Sequence, residues 1–183
     1  MTVHFNVDRR FGLQTIQKAG SSAIQNAIVK SGLWYSQITE QQYHAMPERY
    51  VFIREPYERF VSAYRMFRDS AGTPWDLDTS HLDDYTFEVI HRYKNGKLRE
   101  PHTMSQYAHL CAGRAIHPKG MKVIRWDFSK VAELLGIDKI EPYNTKGSKD
   151  NLRMGPAARN AFEDYYMADR ALWEGDIEGL KYI

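Results

Sequence analysis

The stretch IQKAGSSAIQNAIVKSG, residues 16–32, combines the end of a strand, a turn of small residues and the start of a helix. Residues 11–16 before the turn predict a short strand. After the turn, apolar residues recur at helical spacing, and Gly32 suits the end of the helix. Ser21 or Ser22 is the expected N-cap. The segment therefore predicts one strand–turn–helix unit of an α/β fold.

The turn itself has the properties of an anion site. Lys18 stands at its mouth, followed by Gly20, Ser21 and Ser22. Small residues let the backbone approach a ligand, and the first N–H groups of a helix lack intrahelical acceptors. The partial positive charge of the helix start and the lysine both favour a phosphate. Taken alone, however, the segment is as simply explained as an ordinary turn with a surface lysine.

The rest of the chain continues the alternation of strands and helices. YVFIR (50–54) and MKVIRW (121–126) are compact apolar runs typical of buried parallel strands. Helices are expected over residues 56–67 and 84–95, from a Ser129 cap to Gly136, and as one last helix over 156–173. Such alternation implies right-handed crossovers. We expect a three-layer α/β fold with a central parallel sheet flanked by helices.

Composition narrows the function classes. With 183 residues, 43% hydrophobic and 26% charged, the chain is expected to form one domain over residues 1–183. A net charge of +2 is too small to predict a nucleic-acid partner. The single cysteine, Cys111, excludes an intrachain disulfide and cysteine-rich zinc motifs. We find no membrane span or signal peptide, and we expect a cytoplasmic location.

A second cation follows the next predicted strand. Arg54 ends that strand, and Pro56 opens the following helix. Open parallel sheets bind ligands at the carboxyl ends of their strands, so Lys18 and Arg54 can hold two anionic groups of one ligand. A guanidinium also suits phosphate in a forked geometry. The alternative is a solvated helix face on which Arg54 pairs with Glu55 or Glu58.

The helix after Arg54 offers further polar groups. Ser62 lies about two turns into it and can donate a hydrogen bond. Arg59 and Arg65, three residues on either side of Ser62, are expected on the same polar face. This face would extend the anion site begun by Arg54.

Two segments carry a resemblance to a known family. Lys18-Ala-Gly-Ser-Ser22 and Arg54-Glu-Pro-Tyr-Glu-Arg-Phe-Val-Ser-Ala-Tyr64 resemble the two nucleotide-binding motifs of sulfotransferases that use 3′-phosphoadenosine 5′-phosphosulfate (PAPS). The match is closest to the carbohydrate branch, which includes the chondroitin and dermatan sulfotransferases. All 11 positions of the second segment fit that family's pattern, whereas Gln17 replaces the proline of the first. The resemblance extends thinly from about residue 11 to 174.

The resemblance implies a P-loop-like sulfotransferase fold that binds PAPS and releases 3′-phosphoadenosine 5′-phosphate (PAP). It assigns the 3′-phosphate to Arg54 and Ser62. It assigns the 5′-phosphosulfate to the first motif, namely Lys18, Ala19, Gly20, Ser21, Ser22 and Ala23. The implied reaction is in-line transfer of the sulfuryl group to an acceptor hydroxyl, expected to belong to a carbohydrate. Lys18 would stabilise the charge on the leaving phosphate, and no metal is required.

The acceptor hydroxyl needs a general base, for which the sequence offers several candidates. His102 is the first choice, because PHTMSQYAHLC (101–111) is similar to the family segment with a His-x-x-x-Gln pattern. His44 is the second choice, and a carboxylate such as Glu40 or Glu48 stays open. Each histidine can equally be a hydrogen-bonded structural residue.

Two rival functions stay open on the sequence. One is a P-loop-like nucleotide kinase, although the chain lacks the pattern G-x-x-x-x-G-K-[ST], since Lys18 precedes Gly20. The other is a degenerate module that binds PAP or PAPS without turnover. Selective binding of PAP over adenosine 5′-phosphate would exclude the kinase, and turnover would exclude the binding module.

Overall fold

The computed structural model describes residues 3–8, 10–70, 76–98, 100–111, 120–141 and 152–183. Within these residues a six-stranded sheet has the order β3-β1-β2-β4-β5-β6. Its strands are β1 Val3–Val7, β2 Phe11–Thr15, β3 Tyr35–Ile38, β4 Arg49–Ile53, β5 Lys122–Arg125 and β6 Lys181–Tyr182.

The sheet is mostly parallel. The neighbours β2, β4, β5 and β6 run in one direction, as the alternation of strands and helices predicts. β1 departs from this pattern, since it is antiparallel to both β2 and β3. A tight turn explains the difference: Arg10 donates its N–H to the carbonyl of Val7, so the chain reverses directly into β2. The sequence pattern predicted β2, β4 and β5, and missed β1, β3 and β6.

Eight helices accompany the sheet in the described residues. They are α1 Ser21–Ser31, α2 Glu40–His44, α3 Pro56–Arg68, α4 Leu82–Lys94, α5 Gln106–Cys111, α6 Phe128–Leu135, α7 Pro156–Tyr165 and α8 Met167–Glu174. The single last helix predicted from the sequence is wrong, because α7 and α8 separate at Tyr166. Asp127, and not Ser129, caps α6, since its carboxylate accepts the N–H groups of Ser129 and Lys130. None of the described helices has the length and apolarity of a membrane span.

Helices cover both faces of the sheet, which confirms the three-layer α/β architecture. On β4, Phe52 points to the face covered by α1 and α6, whereas Val51 and Ile53 point to the face covered by α2, α5 and α8. α3, α4 and α7 pack on one another around a separate aromatic cluster that includes Phe60, Tyr64, Tyr85 and Phe162. Because β2 and β4 are parallel neighbours with Thr15 opposite Phe52, the segments that follow them leave the sheet side by side.

Candidate active site

The turn between β2 and α1 has an unusual backbone. Lys18 and Gly20 both lie in the left-handed region, with φ of 62° and 77°. For a lysine this conformation is uncommon and strained, and such strain concentrates at ligand sites. Gly20 is the N-cap of α1, so the predicted cap at Ser21 or Ser22 is wrong. Ser21 and Ser22 are instead the first two residues of α1, and neither hydroxyl caps the helix. The N–H groups of this first turn lack intrahelical acceptors.

Gly20 is also required for space. A Cβ at this position would lie 2.7 Å from Cζ of Phe128 and 3.2 Å from Cε1 of Phe52. The neighbouring Ala19 is fully buried, and Ala23 is nearly so. The turn is therefore pressed against the aromatic side chains of the sheet and α6, and this packing sets the position of Lys18.

Lys18 and Arg54, the two predicted cations, do come together. Nη1 of Arg54 donates to the backbone carbonyl of Lys18 at 3.3 Å. Burial, and then the charge of Arg54, lower the pKa of Lys18, while the carboxylate of Glu100 opposes this shift. Two cations held in one partly buried place favour an anionic ligand, which would relieve their repulsion.

The guanidinium of Arg54 is held by side chains from two further segments. It stacks on the ring of Trp126 at 4.4 Å and pairs with Glu58 at 3.5 Å. The pairing with Glu58 is the contact that the solvated-face alternative expected. Trp126, at the end of β5, is 37% exposed and has a φ of 37°. Sequence reasoning missed this residue, although its place at the end of a predicted strand was the available signal.

The backbone of Arg54 is held by the side chain of Gln106. Its N–H donates to Oε1 of Gln106 at 3.0 Å, and Nε2 of Gln106 donates to its carbonyl at 2.8 Å. Gln106 begins α5, where the buried carboxylate of Asp169 accepts the N–H groups of Gln106 and Tyr107. Asp169 belongs to α8, so α8 orients α5 and α5 orients Arg54.

The sequence pattern predicts that Arg59 and Arg65 share one polar face of the helix, but the structure buries Arg59. It is 2% exposed, and its guanidinium donates to three backbone carbonyls. Nε reaches Gln17 at 2.9 Å, Nη1 reaches Met104 at 2.9 Å and Nη2 reaches Pro101 at 3.1 Å. The side chain thus joins the turn that carries Lys18 to the segment around residues 100–106.

Ser62 is half-buried in α3. Glu58, Ser62 and Arg65 follow each other at helical spacing and share one face of this helix. Glu58 pairs with Arg54, and burial, together with the nearby charge of Arg65, lowers the pKa of Arg54. Ser62 therefore lies on the face of α3 that is turned towards Arg54.

His102 lies on the same side of the sheet as Lys18. Its Nδ1 pairs with the carboxylate of Glu100, which is close enough to influence the pKa of Lys18. The imidazole packs edge-on against the ring of Phe67, with 5.8 Å between the centroids. Its side chain is 27% exposed, so one part of the ring is open to a ligand.

His44 lies elsewhere. It belongs to α2 and pairs with Glu40 at 3.7 Å, and the ring of the preceding residue packs over Gly12 at the amino end of β2. Glu48 immediately precedes β4, and its backbone carbonyl accepts the N–H of Gly12. The contacts of His44 and Glu48 thus lie towards the amino ends of β2 and β4, whereas Glu40 begins α2 just after the carboxyl end of β3. No contact among the described residues joins any of the three to Lys18.

The Gly20 position allows a matched test of the turn. We expect Gly20→Ala to lower the free energy of unfolding by about 1–3 kcal/mol more than Gly32→Ala does, because the added methyl group meets Phe128. Gly32 has a similar φ of 69°, and no described atom lies within 4 Å of the place its added methyl group would take, so it isolates the backbone strain. Urea unfolding of both variants measures the difference. Equal losses would contradict the packing described for the turn.

Comparison with known proteins agrees with this arrangement. Neither the curated proteins nor the solved structures contain a match to the chain. The profile of the sulfotransferase family matches residues 4–168, which include the segments around Lys18 and Arg54, His102 and every strand from β2 to β5. A match over most of the chain, together with the α/β fold, establishes that this chain belongs to the sulfotransferase family.

Proposed function

We propose that the chain is a PAPS-dependent sulfotransferase whose acceptor is a carbohydrate hydroxyl. One observation carries the proposal: the guanidinium of Arg54 contacts the turn that bears Lys18, so two cations from neighbouring strands border one site. A ligand with two separated phosphate groups suits that charge arrangement. PAPS has a 5′-phosphosulfate and a 3′-phosphate, and therefore fits the donor set.

The first motif would hold the 5′ end of PAPS. Lys18 supplies a full positive charge, and the first turn of α1 supplies N–H groups and the hydroxyls of Ser21 and Ser22. When bound, PAPS supplies the sulfuryl group that is transferred. The ammonium of Lys18 stabilises the negative charge that collects on the leaving phosphate, a role in which one donor is worth about 10²-fold in rate or more.

The second motif would hold the 3′ end. Arg54 is preorganised by Trp126 and Gln106, and Ser62 lies on the helix face turned towards it. A fixed guanidinium loses little entropy when it grips a phosphate, which favours PAPS over nucleotides without that group. Trp126 also presents apolar surface beside Arg54, against which a planar adenine can pack.

His102 would act as the general base. It accepts the proton of the acceptor hydroxyl as the new bond between oxygen and sulfur forms and the bond from sulfur to the leaving oxygen breaks. His44 is a poorer candidate, because it packs towards the amino ends of β2 and β4, near Arg49, and pairs with Glu40. A carbohydrate acceptor is supported by the likeness of residues 54–64 to the carbohydrate branch.

Nucleotide selectivity tests the binding half of this proposal. We expect PAP to bind about 10- to 100-fold more tightly than adenosine 5′-phosphate in titration calorimetry, since a charged hydrogen-bonded contact is worth about 1.5–3 kcal/mol. Arg54→Ala should abolish the preference. Arg10→Ala, at the turn between β1 and β2, is the matched control and should keep it. No preference in the unchanged chain would favour a nucleotide kinase.

Turnover tests the other half. With ³⁵S-labelled PAPS and a panel of glycans, small alcohols and tyrosine peptides, we expect label to appear in a glycan. Lys18→Ala should reduce the rate by about 10²-fold or more. Selective PAP binding without transfer to any acceptor would identify a binding module. Transfer to a peptide or a small alcohol alone would refute the carbohydrate assignment.

A further inference from the structure

We propose that Glu100 is a positioning residue for His102. Its buried carboxylate accepts a hydrogen bond from the N–H at Nδ1 of the imidazole, which leaves Nε2 free to accept a proton. This inference rests on the proposed function, in which His102 is the general base. It assigns a role to a side chain that neither the motifs nor the family match singles out.

The carboxylate of Glu100 is fully engaged in one tight turn. Oε2 accepts the backbone N–H of His102 at 2.8 Å and that of Thr103 at 3.0 Å. Oε1 pairs with Nδ1 of His102. The side chain of Glu100 is only 3% exposed, whereas that of His102 is 27% exposed. Glu100 can therefore touch a ligand only through His102, which is the member of the pair that reaches the surface.

The charge state of Glu100 decides the tautomer of His102. Burial favours the neutral acid, but the hydrogen bonds from His102 and Thr103 outweigh it and hold the pKa of Glu100 below its ordinary value. An ionised carboxylate only accepts hydrogen bonds. Nδ1 must then carry the proton, and in the neutral ring the lone pair stands on Nε2.

The surrounding contacts fix the pair relative to Lys18. Arg59 donates to the carbonyls of Pro101 and Met104 on either side of the histidine, and also to the carbonyl of Gln17. Phe67 packs against the imidazole edge-on. The loop that carries the pair and the turn that carries Lys18 are thus joined through one buried guanidinium. A proton acceptor held in this way stays at a fixed distance from the sulfuryl site.

A double-mutant cycle separates this role from a purely structural one. Glu100→Gln should lower kcat by about 10²- to 10³-fold, because the amide oxygen is needed by the two backbone N–H groups and the NH₂ group then faces Nδ1. The KM for PAPS should change less than about twofold. In a His102→Ala background, the same substitution should have a much smaller effect, because Glu100 acts mainly through the ring and only its charge on Lys18 is then lost.

Glu88→Gln is the matched control. Glu88 likewise accepts a backbone N–H, from Asp78 at 2.7 Å, and pairs with a cationic side chain, Arg92, but it lies on α4. Its substitution should leave kcat unchanged. Equal losses of kcat from Glu100→Gln with and without His102 would overturn the inference.

A readout without turnover completes the test. In ¹⁵N-histidine-labelled protein, the ring signals of His102 are identified as those that disappear in His102→Ala. We expect these signals to show the proton on Nδ1 in the unchanged chain and on Nε2 in Glu100→Gln. A proton on Nε2 in the unchanged chain would overturn the inference even if Glu100→Gln fails to fold. If His102→Ala loses turnover and Glu100→Gln does not, the role of Glu100 is overturned but the role of His102 as the base is not. Full turnover in His102→Ala would remove His102 as the base and the inference with it.

Discussion

The parallel pairing of β2 with β4 is the constraint on which the site depends. With Thr15 opposite Phe52, the two chains leave the sheet together, and Lys18 and Arg54 follow within three residues. Neither cation has an electrostatic reason to approach the other. The sheet holds both at one edge, and their shared field is what makes that edge suitable for an anion.

Buried polar side chains, and not surface ion pairs, hold this edge in shape. Asp169 caps α5, α5 presents Gln106, and Gln106 grips both backbone groups of Arg54. Arg59 joins the turn before Lys18 to the loop that carries His102. In a low-dielectric interior such hydrogen bonds are strong and cannot be exchanged for water. The geometry of the site is therefore set before any ligand arrives.

The sequence was most informative where function depends on local pattern. The strand–turn–helix units that place Lys18 and Arg54 follow from apolar runs, small residues and Pro56, and the structure has them where they were predicted. It was misleading at Gly20, because a serine usually caps a helix better, but here the aromatic ring of Phe128 leaves no room for a side chain at the cap.

Residues whose partners are distant in sequence escaped the pattern. Arg59 looked like part of a polar face, and only the fold shows that carbonyls about 40 residues away complete its hydrogen bonds. Trp126 likewise takes its place from its contact with Arg54, which belongs to another strand end. His44 was a reasonable candidate on chemistry alone, since no pattern in the sequence indicates that it packs towards the amino ends of β2 and β4.

A crystal structure of the chain with PAP is the most direct test of the central claim, that Lys18 and Arg54 border a single nucleotide site. We expect one PAP molecule with its 5′-phosphate within hydrogen-bond distance of Lys18 and the first turn of α1, and its 3′-phosphate on the guanidinium of Arg54. A nucleotide that touches only one of the two cations, or that binds away from the carboxyl ends of β2 and β4, would contradict the account.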